Sequence, residues 1–266
     1  MAAIHKEYKS ISEFLKYLEG TPTNPGLQHS FLLSKKTTDI SWYKTSNYEE
    51  AIKLLTGGWD EMAKQIEGKL QLSKKDFAVK TTRRSTYDVV GGNVSVPRLL
   101  QGVPTSMINQ KIVAQKQKVI TIVKHIGYLA DVSVNEVIEN SIKALQIVER
   151  IEASGIRVNL DVISPVDMHG QILTCRVRVK SANERLNISK VAFPMVHPSM
   201  LRRMIFRWRE VESGLTRDSI NSMRNGMYGG SIYDRNTVKL FLKKGEYYLH
   251  NFIGDIETEI NNMQIL

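Results

Sequence analysis

Cysteine occurs once in the 266 residues, at Cys175. An internal disulfide is therefore excluded, and a single thiol does not build a zinc site. A reducing, intracellular setting fits this usage. No apolar run approaches the ~20 residues that a bilayer-spanning helix requires, so no membrane partner is expected. The opening "MAAIHKEYKS" is polar and lacks the apolar stretch of a secretory signal. The familiar catalytic signatures are missing too. There is no His-Glu-x-x-His, no nucleophile elbow, no Walker loop and no Gly-x-Gly-x-x-Gly. Gly91-Gly92-Asn93 is too short to cradle a phosphate. No acidic pair stands out for acid–base work. The residues offer no positive evidence of an enzyme and call for no cofactor.

What is present is a foldable, basic chain. Its apolar fraction is 42%, enough for a packed core, and its formal charge is +10 with a pI near 9.5. Such a balance favours a polyanionic partner, nucleic acid before an anionic surface. The bases are spread along the chain rather than gathered in a tail, so any patch must be assembled by the fold.

Local patterns place the elements. Ser10 and Glu13 have capping-box spacing, Ile11, Phe14, Leu15 and Leu18 share a helical face, and Gly20 ends it. "TPTNPG" is a turn or linker. Ser46 and Glu49 repeat the capping spacing, and Gly57-Gly58 separates two short helices, the second running from Trp59 to about Leu70. Tyr87–Met107 reads as a long loop with one helical turn at "VPRLLQG". It either packs on the core through Val94, Val96, Leu99 and Leu100 or is a binding loop. From Lys118 the pattern is strand (Val119–Gly127), long amphipathic helix stopped by Gly155, strand (Ile156–Ser164) and third strand (Gln171–Ser181). A strand–helix–strand unit implies a parallel pair, and the short link to the third strand allows a mixed sheet. "NTVKLFLKKG" alternates like a strand at Val238, Leu240 and Leu242, and a short helix closes the chain.

The fold class expected is α/β: a mostly parallel or mixed sheet with flanking helices, Rossmann-like or von Willebrand A-like, plus a small helical N-terminal portion. The division expected is a helical, loop-rich portion over 1–117 and an α/β domain over 118–266, or one continuous unit.

"HPSMLRRMIFRWRE" carries four arginines within eight residues. Leu201, Met204, Ile205, Trp208 and Val211 form a core-facing stripe, which places Arg203, Arg207 and Glu210 on an outer face. That face is either simply solvated or touches phosphates. The candidate nucleic-acid contacts are Arg83, Arg84, Arg98, Arg202, Arg203 and Arg207. "DVSVN" lies where the first strand of the βαβ unit hands over to its helix, the edge where open α/β sheets bind ligands. Asp131, Ser133 and Asn135 there resemble the metal-ion-dependent adhesion site of A domains, whose hard oxygen ligands suit Mg²⁺. No convincing distal ligands accompany them, Asp167 being the nearest candidate. The competing reading is a helix cap.

Four blocks in order carry a family resemblance: "SNYEEAIKLLTGGWDEMAKQI", "YDVVGGNVSVPRLLQGVPTSM", "NEVIENSIKALQIVERIEASGIRVNLDVIS" and "FPMVHPSMLRRMIFRWRE". Together, over roughly residues 45–211, they resemble a family of uncharacterised bacteriophage proteins. The chain departs from that pattern at Met62, where the family has a glycine. It also has Val103 and Thr105-Ser106 where relatives carry an acidic residue and a cysteine. The resemblance implies a phage origin and a host-cytoplasm or virion location, and it transfers no catalytic residue. The function expected is non-enzymatic contact with nucleic acid during genome handling. The alternatives are a virion, assembly or host-antagonist protein that binds phage or host proteins, and a degenerate A-like domain holding Mg²⁺.

Overall fold

The computed structural model describes residues 2–69, 81–114, 118–128, 132–232 and 234–263. In chain order the elements are β1 (Ala2–Tyr8), α1 (Ile11–Gly20), α2 (Ile40–Tyr43), α3 (Tyr48–Gly57), α4 (Asp60–Lys69), β2 (Thr81–Asp88), β3 (Asn93–Val94), α5 (Val96–Leu100) and β4 (Met107–Ala114). There follow β5 (Val119–His125), α6 (Val134–Ala153), β6 (Arg157–Met168), β7 (Gln171–Lys180), α7 (Ile188–Val196), a π-helical turn (Met200–Ile205) and α8 (Phe206–Val211). Last come α9 (Arg217–Arg224), β8 (Gly230–Ser231), α10 (Arg235–Lys239), β9 (Glu246–Leu249) and α11 (Ile256–Met263). The chain forms two compact units, Met1–Ser73 with Val119–Leu266, and Lys74–Lys118.

The first unit is an α/β body. Its sheet runs β1-β7-β6-β5-β9, with β8 also paired to β6. The β1/β7, β5/β6 and β5/β9 pairs are parallel, and β6/β7 is an antiparallel hairpin. This is the expected mixed, mostly parallel sheet flanked by helices. The hairpin turns at His169 and Gly170, both in the left-handed region. Asp167 Oδ1 accepts from Gly170 N at 2.8 Å, so this carboxylate shapes the turn. The helices α1, α3 and α4 share the core with the sheet: Phe14, Leu18, Leu55 and Ile66 join Ile122, Leu145, Val158 and Leu173 in one buried cluster. The boundary expected after residue 117 falls at the end of the second unit, while residues 2–69 lie in the body.

Several local readings shift. Ser10 caps α1 by accepting from Glu13 N, and Glu13 returns to Lys9 N rather than to Ser10. The cap of α3 is Asn47 with Glu50, one residue later than Ser46 with Glu49. The glycine corner is required: Gly58 has φ 97°, and a Cβ there would meet Ser189 Oγ at 2.3 Å. The strand expected through Val238, Leu240 and Leu242 is instead the end of helix α10 and the turn that follows it, because Asp234 accepts from Thr237 N at 2.8 Å and caps the helix. The strand of this region is β9. The polar N-terminus supplies β1, a sheet edge that its composition did not announce.

The second unit is a three-stranded antiparallel sheet in the order β2-β4-β3. Neither β2 nor β4 was anticipated. The loop expected over Tyr87–Met107 is β3 and α5 with their connections, set on one end of the ribbon.

Candidate nucleic-acid interface

In the ribbon, Arg83 pairs across with Ile112, and Arg84 with Lys111. Directly opposed residues of an antiparallel pair point to the same side, and successive residues alternate sides. Arg83, Ser85 and Tyr87 therefore mark one face, and Arg84, Thr86 and Lys111 the other. Arg83, Arg84 and Lys111 are exposed. Like charges directly opposite each other destabilise a sheet, so Arg84 and Lys111 repel each other across the pair. Lys74–Lys118 holds nine Lys and Arg against two Asp, leaving only +3 of the chain's +10 for all other residues. The net excess is thus local, although single bases are scattered along the whole sequence.

Arg98 has a different task. Its Nε and Nη2 donate to Thr105 O and Thr105 Oγ1 at 3.0 and 3.1 Å, and its guanidinium lies 4.2 Å from the Tyr87 ring centre. It clamps the loop onto the ribbon. Gly91 helps, since a Cβ there would press on Ile108 O at 2.6 Å. This close packing explains the glycine at position 91.

The arginines of "HPSMLRRMIFRWRE" do not form the outer face expected from the apolar stripe. Arg203 is fully enclosed. It donates to Thr45 Oγ1 (2.6 Å), Thr45 O (2.9 Å), Ser34 O (3.0 Å) and Lys36 O (3.0 Å). Arg207 is buried and donates to Thr23 Oγ1 at 2.7 Å. Half-buried Arg202 donates to Trp42 O and stacks on that indole at 4.4 Å. Glu210 is buried among Ser34 N, Ser34 Oγ and Tyr228 Oη, and its burial pushes its carboxyl pKa up. The reason is the segment 21–45. Its irregular backbone leaves carbonyls that need donors once covered, and these arginines supply them. Arg209 belongs to the same polar layer, donating to Tyr228 O at 2.6 Å.

Of the metal candidates, Ser133 is the N-cap of α6, accepting from Glu136 N at 3.2 Å, and Asn135 is exposed on its first turn. Asp131 lies outside the described residues. Among those described, no group of three His, Cys, Asp or Glu is arranged to hold a metal ion.

One buried group escaped sequence reading. Lys124, on β5, is fully enclosed, and Nζ donates to His250 O (2.7 Å) and Asn251 O (3.3 Å). Burial lowers its ammonium pKa to about 7. Beside it the His125 imidazole is held well below its usual range by burial and then by Lys124 and His250. A lysine at an inward position of an otherwise apolar strand was the available signal.

A family model described as "Domain of unknown function (DUF7192)" matches residues 2–263. The chain belongs to this family. In DUF7192, on the evidence of this member, the matched region takes in both the body and the ribbon. No curated protein and no solved structure matches the chain.

Proposed function

We propose that this DUF7192 protein contacts nucleic acid through the ribbon of its second unit, without catalysis, during handling of a phage genome in the host cytoplasm or virion. The observation that carries this reading is the charge of Lys74–Lys118 together with the exposure of Arg83 and Arg84 on β2 and of Lys111 on β4, with Arg84 opposite Lys111. Cations without acidic partners gain most from a phosphate backbone, where each neutralised phosphate releases a condensed counterion. Arg83, Arg84 and Lys111 make the phosphate contacts. Arg98 orders the loop beside them, and Arg202, Arg203 and Arg207 hold the body together.

The test is fluorescence anisotropy with single-stranded DNA, duplex DNA and RNA over a salt series. The reading expects binding that weakens steeply with salt, and a log–log slope that falls by up to about 3 in Arg83→Ser/Arg84→Ser/Lys111→Ser. Weak binding to all three ligands at moderate salt, or a slope untouched by the triple variant, rejects it.

A second reading, an assembly or host-antagonist role through protein contacts, is favoured by the exposed apolar face of α5. The Mg²⁺ reading rests on Asp131, Ser133 and Asn135 alone, and Ser133 already serves as a cap.

A further inference from the structure

Seven of the large apolar side chains that face solvent crowd into Tyr87–Leu100, and Leu100 and Val90 are 82% and 76% exposed. Within α5, Val96, Leu99 and Leu100 have i, i+3, i+4 spacing, so the one apolar face of this turn points outward. In the whole of residues 83–111 only Ser95 and Ser106 are buried, so no apolar side chain of this stretch finds a core. Exposed apolar surface of this extent marks an interaction site.

The loop that carries it is well anchored. Ser95 N donates to Ser106 O at 2.8 Å, Gly92 N to Ile108 O at 3.1 Å, and Arg98 bonds Thr105 and covers Tyr87. The chain enters the unit's ribbon at Thr81 and leaves it at Ala114, so the apolar crest sits at the opposite end, past Asp88 and Met107. Between the two ends lie the cations. A rigid apolar crest on a cationic ribbon has the makings of a wedge.

We infer that the crest, led by Leu99 and Leu100, inserts at a base step of duplex DNA while the cations behind it grip the flanking phosphates. This rests on the nucleic-acid reading above and names its substrate class. Apolar side chains that enter a duplex unstack a step and kink it, and the bend brings more phosphate onto the protein. The major groove of B-form DNA admits a two-stranded ribbon. The deep, narrow major groove of A-form RNA does not, and its shallow minor groove presents hydroxyls to an apolar crest. A single strand has no paired step to wedge.

The experiment uses the full chain and duplexes of about 25 base pairs, long enough for roughly two helical turns. End-to-end energy transfer reads the bend, and 2-aminopurine within the duplex reads unstacking. The wild type should bend the duplex by roughly 20–90° and brighten the 2-aminopurine. Leu99→Ser/Leu100→Ser should lose both signals and still bind in a salt-dependent way, because its cations are intact, with a slope no steeper than the wild type's. Both leucines are exposed, so the fold tolerates the change; circular dichroism and melting check that.

Salt-dependent binding with no bend, or a bend that survives in the double variant, overturns the wedge and leaves nucleic-acid contact standing. Absence of binding to any nucleic acid overturns both. A self-associated wild type that the double variant converts to a monomer, by sedimentation, makes the crest an interface between copies and also overturns the wedge.

Discussion

The body and the ribbon use the same residue types in opposite ways. In the body, Arg203 and Arg207 are buried and donate to backbone carbonyls and hydroxyls, and buried Arg209 donates to Tyr228 O. Arg176 is enclosed among Asp161, Glu246 and Glu7, and Lys180 meets Glu152 at 2.6 Å. In the ribbon, Arg83, Arg84 and Lys111 face solvent, and the leucines of α5 do too. A buried cation must find acceptors, or its desolvation is uncompensated. An exposed one need not, and stays available. Arginine count alone therefore says little about binding. Exposure and the absence of acidic partners decide it.

The contrast can be broken most severely in the body. Arg203→Met should cost about 3–5 kcal/mol, because it strips donors from enclosed carbonyls. The expected fall in melting temperature is roughly 10 °C, with the salt dependence of any nucleic-acid binding unchanged. A variant as stable as the wild type would mean the 21–45 segment is held by something else.

A charge swap sharpens the comparison next. Removing three exposed body lysines, Lys16, Lys53 and Lys64, should leave the anisotropy salt slope near its wild-type value. Removing the same formal charge from the ribbon should lower it by up to about 3. Equal effects from the two sets would dissolve the distinction between the units.

Lys124 gives an effect of defined sign that builds up gradually over several pH units. Folded, its ammonium loses the proton near pH 7; its ordinary value is 10.5. Between those two values the unfolded chain holds the extra proton. Stability therefore rises with pH across that window, by roughly 1.4 kcal/mol per unit, and lies at its lower level below about pH 7. Lys124→Met should flatten this part of the curve in urea melts taken from pH 7 to 10. A slope that persists would assign it to another group.

Smaller still is Arg98→Lys in the ribbon. Lysine keeps the charge but loses the planar fork and the stack on Tyr87, so the loop should gain hydrogen exchange at Ser95 and Leu99 with about 1 kcal/mol lost locally. Last, Ser133→Ala should cost about 1 kcal/mol as a lost cap. Melting with and without Mg²⁺ should give that same difference in both conditions; a Mg²⁺ shift confined to the wild type would favour the metal reading.

Much of the body was legible. The β5–α6–β6 unit, the β6–β7 hairpin and the glycine corner at Gly58 all follow from periodicity and turn chemistry, which are local. The stripe of Met204, Ile205, Trp208 and Val211 is buried as read. Its opposite face was misread, because helical period assumes one buried side, and here the segment 21–45 covers the other. The ribbon went unseen because "TTRRSTYD" has too few apolar residues to signal a strand buried on one side, and the apolar residues of "MINQKIVA" do not alternate with polar ones. A strand exposed on both faces has no hydrophobic alternation to detect.

The sequence by itself determined the α/β class, the single free thiol, the net charge and the caps at Ser10 and Ser133, since each depends on composition or on residues a few positions apart. Only the tertiary structure decided which cations are spent and which are free, and which apolar side chains lack a core. Those outcomes turn on desolvation, and desolvation is set by what the rest of the chain lays over each residue.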